Sequence, residues 1–171
     1  MLLSLHTPAH PPPAPLLDLV SRPGKHGRAS ARGLLVDGAG GEQTRPLAAL
    51  ADGDKLHIAA PGDASVVAQL DPAALVQRLA RLGLSTEVRL AQIHLISDDA
   101  GMGDEASFAR SFADALTRQG FHVDEVKAPR GRVQWDPHGK VQILTAGATD
   151  YRPSESALNY YVGPRVHANH R

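Results

Sequence analysis

Two stretches decide the fold: Asp54-Lys55-Leu56-His57-Ile58-Ala59-Ala60-Pro61-Gly62 and Ala91-Gln92-Ile93-His94-Leu95-Ile96-Ser97-Asp98-Asp99-Ala100-Gly101-Met102-Gly103. Each is a short apolar run that stops on turn-forming residues, the pattern of a strand buried in the middle of a sheet. Between them Asp71-Pro72 opens the clearest helix of the chain, with the aspartate as N-cap and the proline at the first helical position. Leu75, Val76, Leu79 and Leu82 follow at three- and four-residue spacing, and Gly83 stands where such a helix stops. After the second stretch, Asp104 is the expected cap of another helix, which displays Phe108, Phe112 and Leu116 and ends at Gly120. Strands alternating with helices imply parallel pairing and right-handed crossovers, hence a layered α/β sheet.

Working outward, Phe121–Val126 reads as a further strand, and Arg132–Trp135 and Lys140–Leu144 flank the turn sequence Asp136-Pro137-His138-Gly139. The expectation is a C-terminal β-hairpin at or beyond one edge of the sheet. Upstream, Gly33–Asp37 reads as a buried strand before Gly38-Ala39-Gly40-Gly41, and Pro46–Leu50 as one helical turn with Thr44 as a cap. His6 to Arg32 lacks either periodicity and is rich in proline, glycine and basic residues, so it reads as an arm. The expected organisation is an arm or linker over 1–32, an α/β domain over 33–145, and an extension over 146–171 that holds Tyr151, Tyr160 and Tyr161.

The chain has 171 residues, of which 42% are hydrophobic and 21% charged, enough for one domain with one core. Its formal charge is zero, yet the balance is uneven. Residues 1–33 carry four basic residues against one acidic, and residues 34–145 carry 11 against 15. An acidic core does not suit a polyanion, whose binding depends on cations that neutralise phosphates, so nucleic acid is not an expected partner. There is no cysteine, which removes disulfides, thiolate metal sites and thiol nucleophiles together. No apolar run approaches the roughly 20 residues of a membrane span, and Met1–Val20, broken by Pro8 and Pro11–Pro13, does not read as a signal peptide.

The segments Asp54–Ala60 and Ile93–Ser97, with the run Ala128-Pro129-Arg130-Gly131-Arg132 leading to Lys140, carry a resemblance over roughly residues 50–145. In these surroundings the chain resembles the C80 cysteine peptidases, caspase-like members of clan CD that serve as inositol-phosphate-activated autoprocessing domains of large bacterial toxins. The resemblance implies a caspase-like, mostly parallel sheet flanked by helices. It also implies that one strand ends in a His-Gly pair supplying the general base, and that the next parallel strand ends in the nucleophilic cysteine. Here Pro61 stands at the place of the histidine and Asp98 at that of the cysteine, while Gly62 is kept. Thiolate attack needs a sulfur with a base in reach, and proline neither gives nor takes a proton, so this chemistry is excluded. The resemblance then implies a pseudoenzyme, a C80-like domain retained as a binding or regulatory module in a bacterial toxin or effector, translocated or cytoplasmic, with protein as the expected partner.

In open α/β sheets ligands collect beyond the carboxyl ends of the strands, which makes Gly62, Asp63, Asp98, Asp99 and Gly101 the expected cleft. Asp98, Asp99 and Asp104 there permit a second reading, a divalent cation held by carboxylates in a hydrolase or phosphoryl-handling enzyme. Against it, Asp104 and Glu105 complement a helix N-terminus, and Asp98-Asp99 form a solvated turn. His57 and His94 each lie four residues before their strand ends, so they are expected side by side on one face of the sheet. Such a pair senses pH or binds metal, although buried histidines are more often satisfied core residues. Arg78 and Arg81, with Lys127, Arg130, Arg132 and Lys140, are the candidate cradle for an inositol phosphate, set against the plainer reading of solvated basic faces. A third reading is a pure interaction module that uses the proline-rich arm and the tyrosine-bearing tail.

Overall fold

The structure is a computed structural model that describes residues 1–7, 9–15, 33–35, 41–135, 141–144 and 160–162. Its strands, in chain order, are β1 (Leu2–Ser4), β2 (Gly33–Leu35), β3 (Lys55–Ala59), β4 (Arg89–Leu90), β5 (Gln92–Ile96), β6 (His122–Val123), β7 (Val126–Ala128), β8 (Arg132–Trp135), β9 (Val141–Leu144) and β10 (Tyr160–Val162). Its α-helical segments among the described residues include the single turn α1 (Gly41–Thr44), α2 (Pro72–Arg81) and α3 (Phe108–Arg118). Six strands make the central sheet in the order β10-β7-β5-β3-β1-β2. All its pairs are parallel except β10, which runs antiparallel to β7. The protein is therefore α/β, with a mostly parallel sheet, flanking helices and an antiparallel hairpin formed by β8 and β9.

Side-chain alternation sorts the sheet into two faces. Leu3, Leu56, Ile58, Ile93, Leu95 and Val126 belong to the larger core, which α2 closes with Leu75, Val76 and Leu79 and α3 with Phe108, Phe112 and Leu116. Each fully buried leucine or phenylalanine of this layer contributes about 2 kcal/mol. The intervening residues Leu2, Ala59 and Ile96 form a smaller cluster on the other face, covered by Val133, Trp135 and Val141 of the hairpin. The hairpin thus lies against a face of the sheet instead of extending its edge, because its apolar residues need a surface to bury against and the strand exits supply one.

Helix α2 forms as its sequence dictates. The Asp71 carboxylate accepts the Ala74 N–H at 2.8 Å, Pro72 occupies the first turn, and Gly83 leaves the helix at φ +102°. Helix α3 departs from expectation at its start. Asp104–Ala106 form a separate 3-10 turn, and Ser107 is the N-cap, its hydroxyl accepting from the Arg110 N–H at 3.2 Å. Asp104 instead opens that 3-10 turn.

Three further expectations change. Leu2–Ser4, assigned to the arm, is a strand between β2 and β3, where Leu3 is fully buried. Phe121–Val126 divides into β6, paired with β4, and β7 in the central sheet, with Asp124 and Glu125 at the break. Pro46–Ala49 is a 3-10 turn preceded by Arg45 at φ +42°, so Thr44 is not its cap. Most of the proposed arm, residues 16–32, and most of the C-terminal extension lie outside the described residues, although Tyr160–Val162 of the extension supply β10.

Candidate functional site

β3 and β5 are adjacent, parallel and in register from Lys55↔Gln92 to Ala59↔Ile96, so their exits open side by side. A cavity of about 440 Å³ sits there. Its walls come from Ala59–Gly62 after β3, Ile96–Asp98 after β5, Val133–Trp135 of β8, and His6 and Pro13 of the N-terminal segment. Pro61 and Asp98 therefore share one cavity.

The backbone around Asp98 is fastened to the hairpin. The Asp98 Oδ1 accepts the Val133 N–H at 2.6 Å, the Asp99 N–H reaches the Gly131 carbonyl at 3.0 Å, and the Gly101 N–H reaches the Pro129 carbonyl at 2.8 Å. Asp99 adopts φ +53°, a left-handed conformation that aspartate tolerates better than most residues. The Asp98-Asp99 pair is thus a clamp that holds β8 over the strand ends, and neither Asp99 nor Gly101 lines the cavity.

Gly62 and Ser97 meet behind the strand exits. A Cβ at position 62 would overlap the Val66 carbonyl oxygen and the Ser97 hydroxyl, so the turn requires glycine on steric grounds alone. The Ser97 hydroxyl is buried and has no hydrogen-bond partner among the described residues. Among the described residues no base stands beside it to activate it as a nucleophile. Asp63, beside Gly62, is exposed and turns inward on its own loop. Its carboxylate accepts from the Ser65 hydroxyl and from the Ser65 and Val66 N–H groups, which hold its pKa below the usual carboxylate range.

His6 is the imidazole that reaches the cavity. Its Nδ1 lies 2.6 Å from the Ser4 hydroxyl, and burial holds its pKa below the ordinary histidine value. His57 and His94 stand in register as expected, with ring centroids 5.6 Å apart and planes at 64°. Burial first, then the neighbouring His57 and Lys127, pushes His94 down to about 4. Burial, the amino terminus, Lys55 and Lys127 lower His57 in the same sense. Among the described residues no group of three or more histidine, aspartate or glutamate side chains is arranged to hold a metal ion.

The five candidate phosphate ligands among the described residues do not gather. Arg78 and Arg81 line a pocket of about 180 Å³ with Leu5, His6, Thr7, Ala68 and Leu70. Lys127 lies elsewhere, in register with His94 and 4.0 Å from the Glu125 carboxylate. Arg130 and Arg132 are exposed where the hairpin begins, and Lys140 lies outside the described residues.

Sequence reasoning reached Pro61, Gly62 and Asp98 but missed His6, Pro13, Val133, Gln134 and Trp135. Trp135 is the single tryptophan of the chain and adjoins the turn-forming sequence Asp136-Pro137-His138-Gly139, a signal legible in the sequence. Among the described residues no helix is long and apolar enough to cross a membrane. No protein-family model matches the chain, and no curated protein matches it.

Proposed function

We propose that this domain is a C80-like pseudo-peptidase, a catalytically inactive caspase-like module that uses the cavity at the ends of β3 and β5 to bind a partner or regulator in a bacterial toxin or effector. The observation that carries the reading is that Pro61 and Asp98, at the places of base and nucleophile in the resemblance, line one cavity at the exits of two adjacent parallel strands. Two adjacent parallel strands that end in one cavity support this reading, and the chain has proline and aspartate at the two positions where the resemblance implies histidine and cysteine.

The remaining side chains do not rebuild the chemistry. The chain has no thiol. The Asp98 Oδ1 is committed to the Val133 N–H, the Ser97 hydroxyl meets no base among the described residues, and the His6 Nδ1 is engaged by Ser4. A cavity lined mostly by apolar groups with a few convergent polar ones is, by contrast, a suitable binding site.

The test is incubation of the full chain with peptide and self-cleavage substrates, with and without inositol hexakisphosphate. No turnover is expected. Reproducible cleavage that disappears in Asp98→Ala overturns the reading.

A further inference from the structure

The cavity holds one carboxylate in apolar surroundings. Pro61, Ile96 and Trp135 supply much of its wall, Gln134 and His6 add neutral polarity, and Asp98 is the acidic side chain among its lining residues. Among the described residues no lysine or arginine lines it. Any ligand that fills this volume desolvates Asp98, and a partly buried carboxylate without a counter-ion is costly unless the ligand brings the opposite charge.

The hydrogen bond from Val133 refines the match. It occupies Oδ1 and leaves Oδ2 as the less committed oxygen of the carboxylate. A guanidinium fork uses both oxygens in parallel, whereas an ammonium is a point charge that one oxygen satisfies. The apolar wall in turn suits a hydrocarbon stem, and an aromatic lining residue favours a cation nearby. A long aliphatic stem with a terminal ammonium fits each of these requirements, and pockets of a few hundred Å³ accommodate a group of that size.

We infer that the cleft takes an alkylammonium group, the lysine side chain of an extended partner segment, with the stem along Pro61, Ile96 and Trp135 and the ammonium on Asp98. This rests on the reading of the cleft as a binding site. The ligand's positive charge replaces the water that the carboxylate loses, so selectivity against an uncharged stem of equal length comes chiefly from Asp98, with a smaller share from the Trp135 ring.

The test is an NMR titration of the full chain with the Nα-acetyl methylamides of lysine, arginine and norleucine, and with cadaverine. Shifts should localise to Ala59–Gly62, Ile96–Asp98 and Val133–Trp135. Lysine should bind more tightly than arginine, and at least about tenfold more tightly than norleucine, the worth of one charge-assisted contact. Asp98→Asn keeps an oxygen for the Val133 N–H, so the fold is retained while lysine loses most of that advantage; Trp135→Ala should weaken both lysine and norleucine, lysine somewhat more. Cadaverine equal to the lysine probe assigns the site to free amines, and a weaker cadaverine assigns it to peptide-borne lysine. Norleucine binding as well as lysine, an Asp98→Asn protein that binds lysine unchanged, or no shift with any probe each overturns the inference. Loss of the pseudo-peptidase reading would instead appear as turnover in the cleavage assay, a separate measurement.

Discussion

His57 and His94 stand opposite each other on adjacent parallel strands, their rings 5.6 Å apart, with Lys127 the next residue in the same row across the sheet. Three groups able to carry positive charge are thus aligned, and burial keeps both imidazoles neutral at pH 7. The folded protein resists protonation at these sites while the unfolded chain accepts protons near the ordinary value of 6.5.

Stability should therefore be full above about pH 6.5 and fall as the pH drops toward 4, where His94 itself titrates. The His94 share of that loss is on the order of 3 kcal/mol. Urea denaturation at several pH values between 7 and 4 measures it, and His94→Gln should flatten the slope. A His94 titration midpoint at or above 6.5 by NMR would contradict the placement of the ring.

Gly62→Ala should destabilise the protein by about 2 kcal/mol or more, because the new methyl meets the Val66 backbone oxygen, which cannot swing aside. Thermal unfolding reads this directly. Gly62→Ala combined with Ser97→Ala should recover part of the loss, since one of the two overlapping atoms is then absent.

Ser97→Ala alone should raise stability by about 1 kcal/mol. It removes a buried hydroxyl that has no hydrogen-bond partner among the described residues. A destabilised variant would mean that the hydroxyl is satisfied after all.

Asp98→Ala should cost about 1–2 kcal/mol by leaving the Val133 N–H unpaired, and Asp98→Asn much less. Hydrogen exchange at Val133 separates the two, with faster exchange expected in the alanine variant. At the start of α3, Ser107→Ala should cost about 1 kcal/mol as the loss of a helix cap, measured by chemical denaturation.

The central strands and both long helices were legible because their signals are local. Asp71-Pro72 and Gly83 mark one helix completely, and the apolar runs ending at Pro61-Gly62 and Asp98-Asp99 mark the two strands that build the cleft. Leu2–Ser4 escaped notice because three residues give no periodicity and a proline-rich stretch follows. The capping role of Ser107 was hidden by Asp104, an equally good cap by composition that stands three residues earlier. The cavity itself was only half visible, since the partners of the strand exits arrive from His6 and Trp135, far away in sequence, and only tertiary contact assembles them. Likewise the Asp98 carboxylate reads as a solvated turn until the Val133 N–H, 35 residues later, is seen to meet it.

The order β10-β7-β5-β3-β1-β2 has a kinetic meaning. After β2 takes one side of β1, every later strand of the sheet joins the opposite edge in the order of its synthesis. A chain emerging from the ribosome can extend this edge step by step without prying apart a pair already made. Each closure then spans one intervening segment instead of the whole domain, which keeps its entropic cost low. The antiparallel β10 arrives last and ends the growth of the parallel edge.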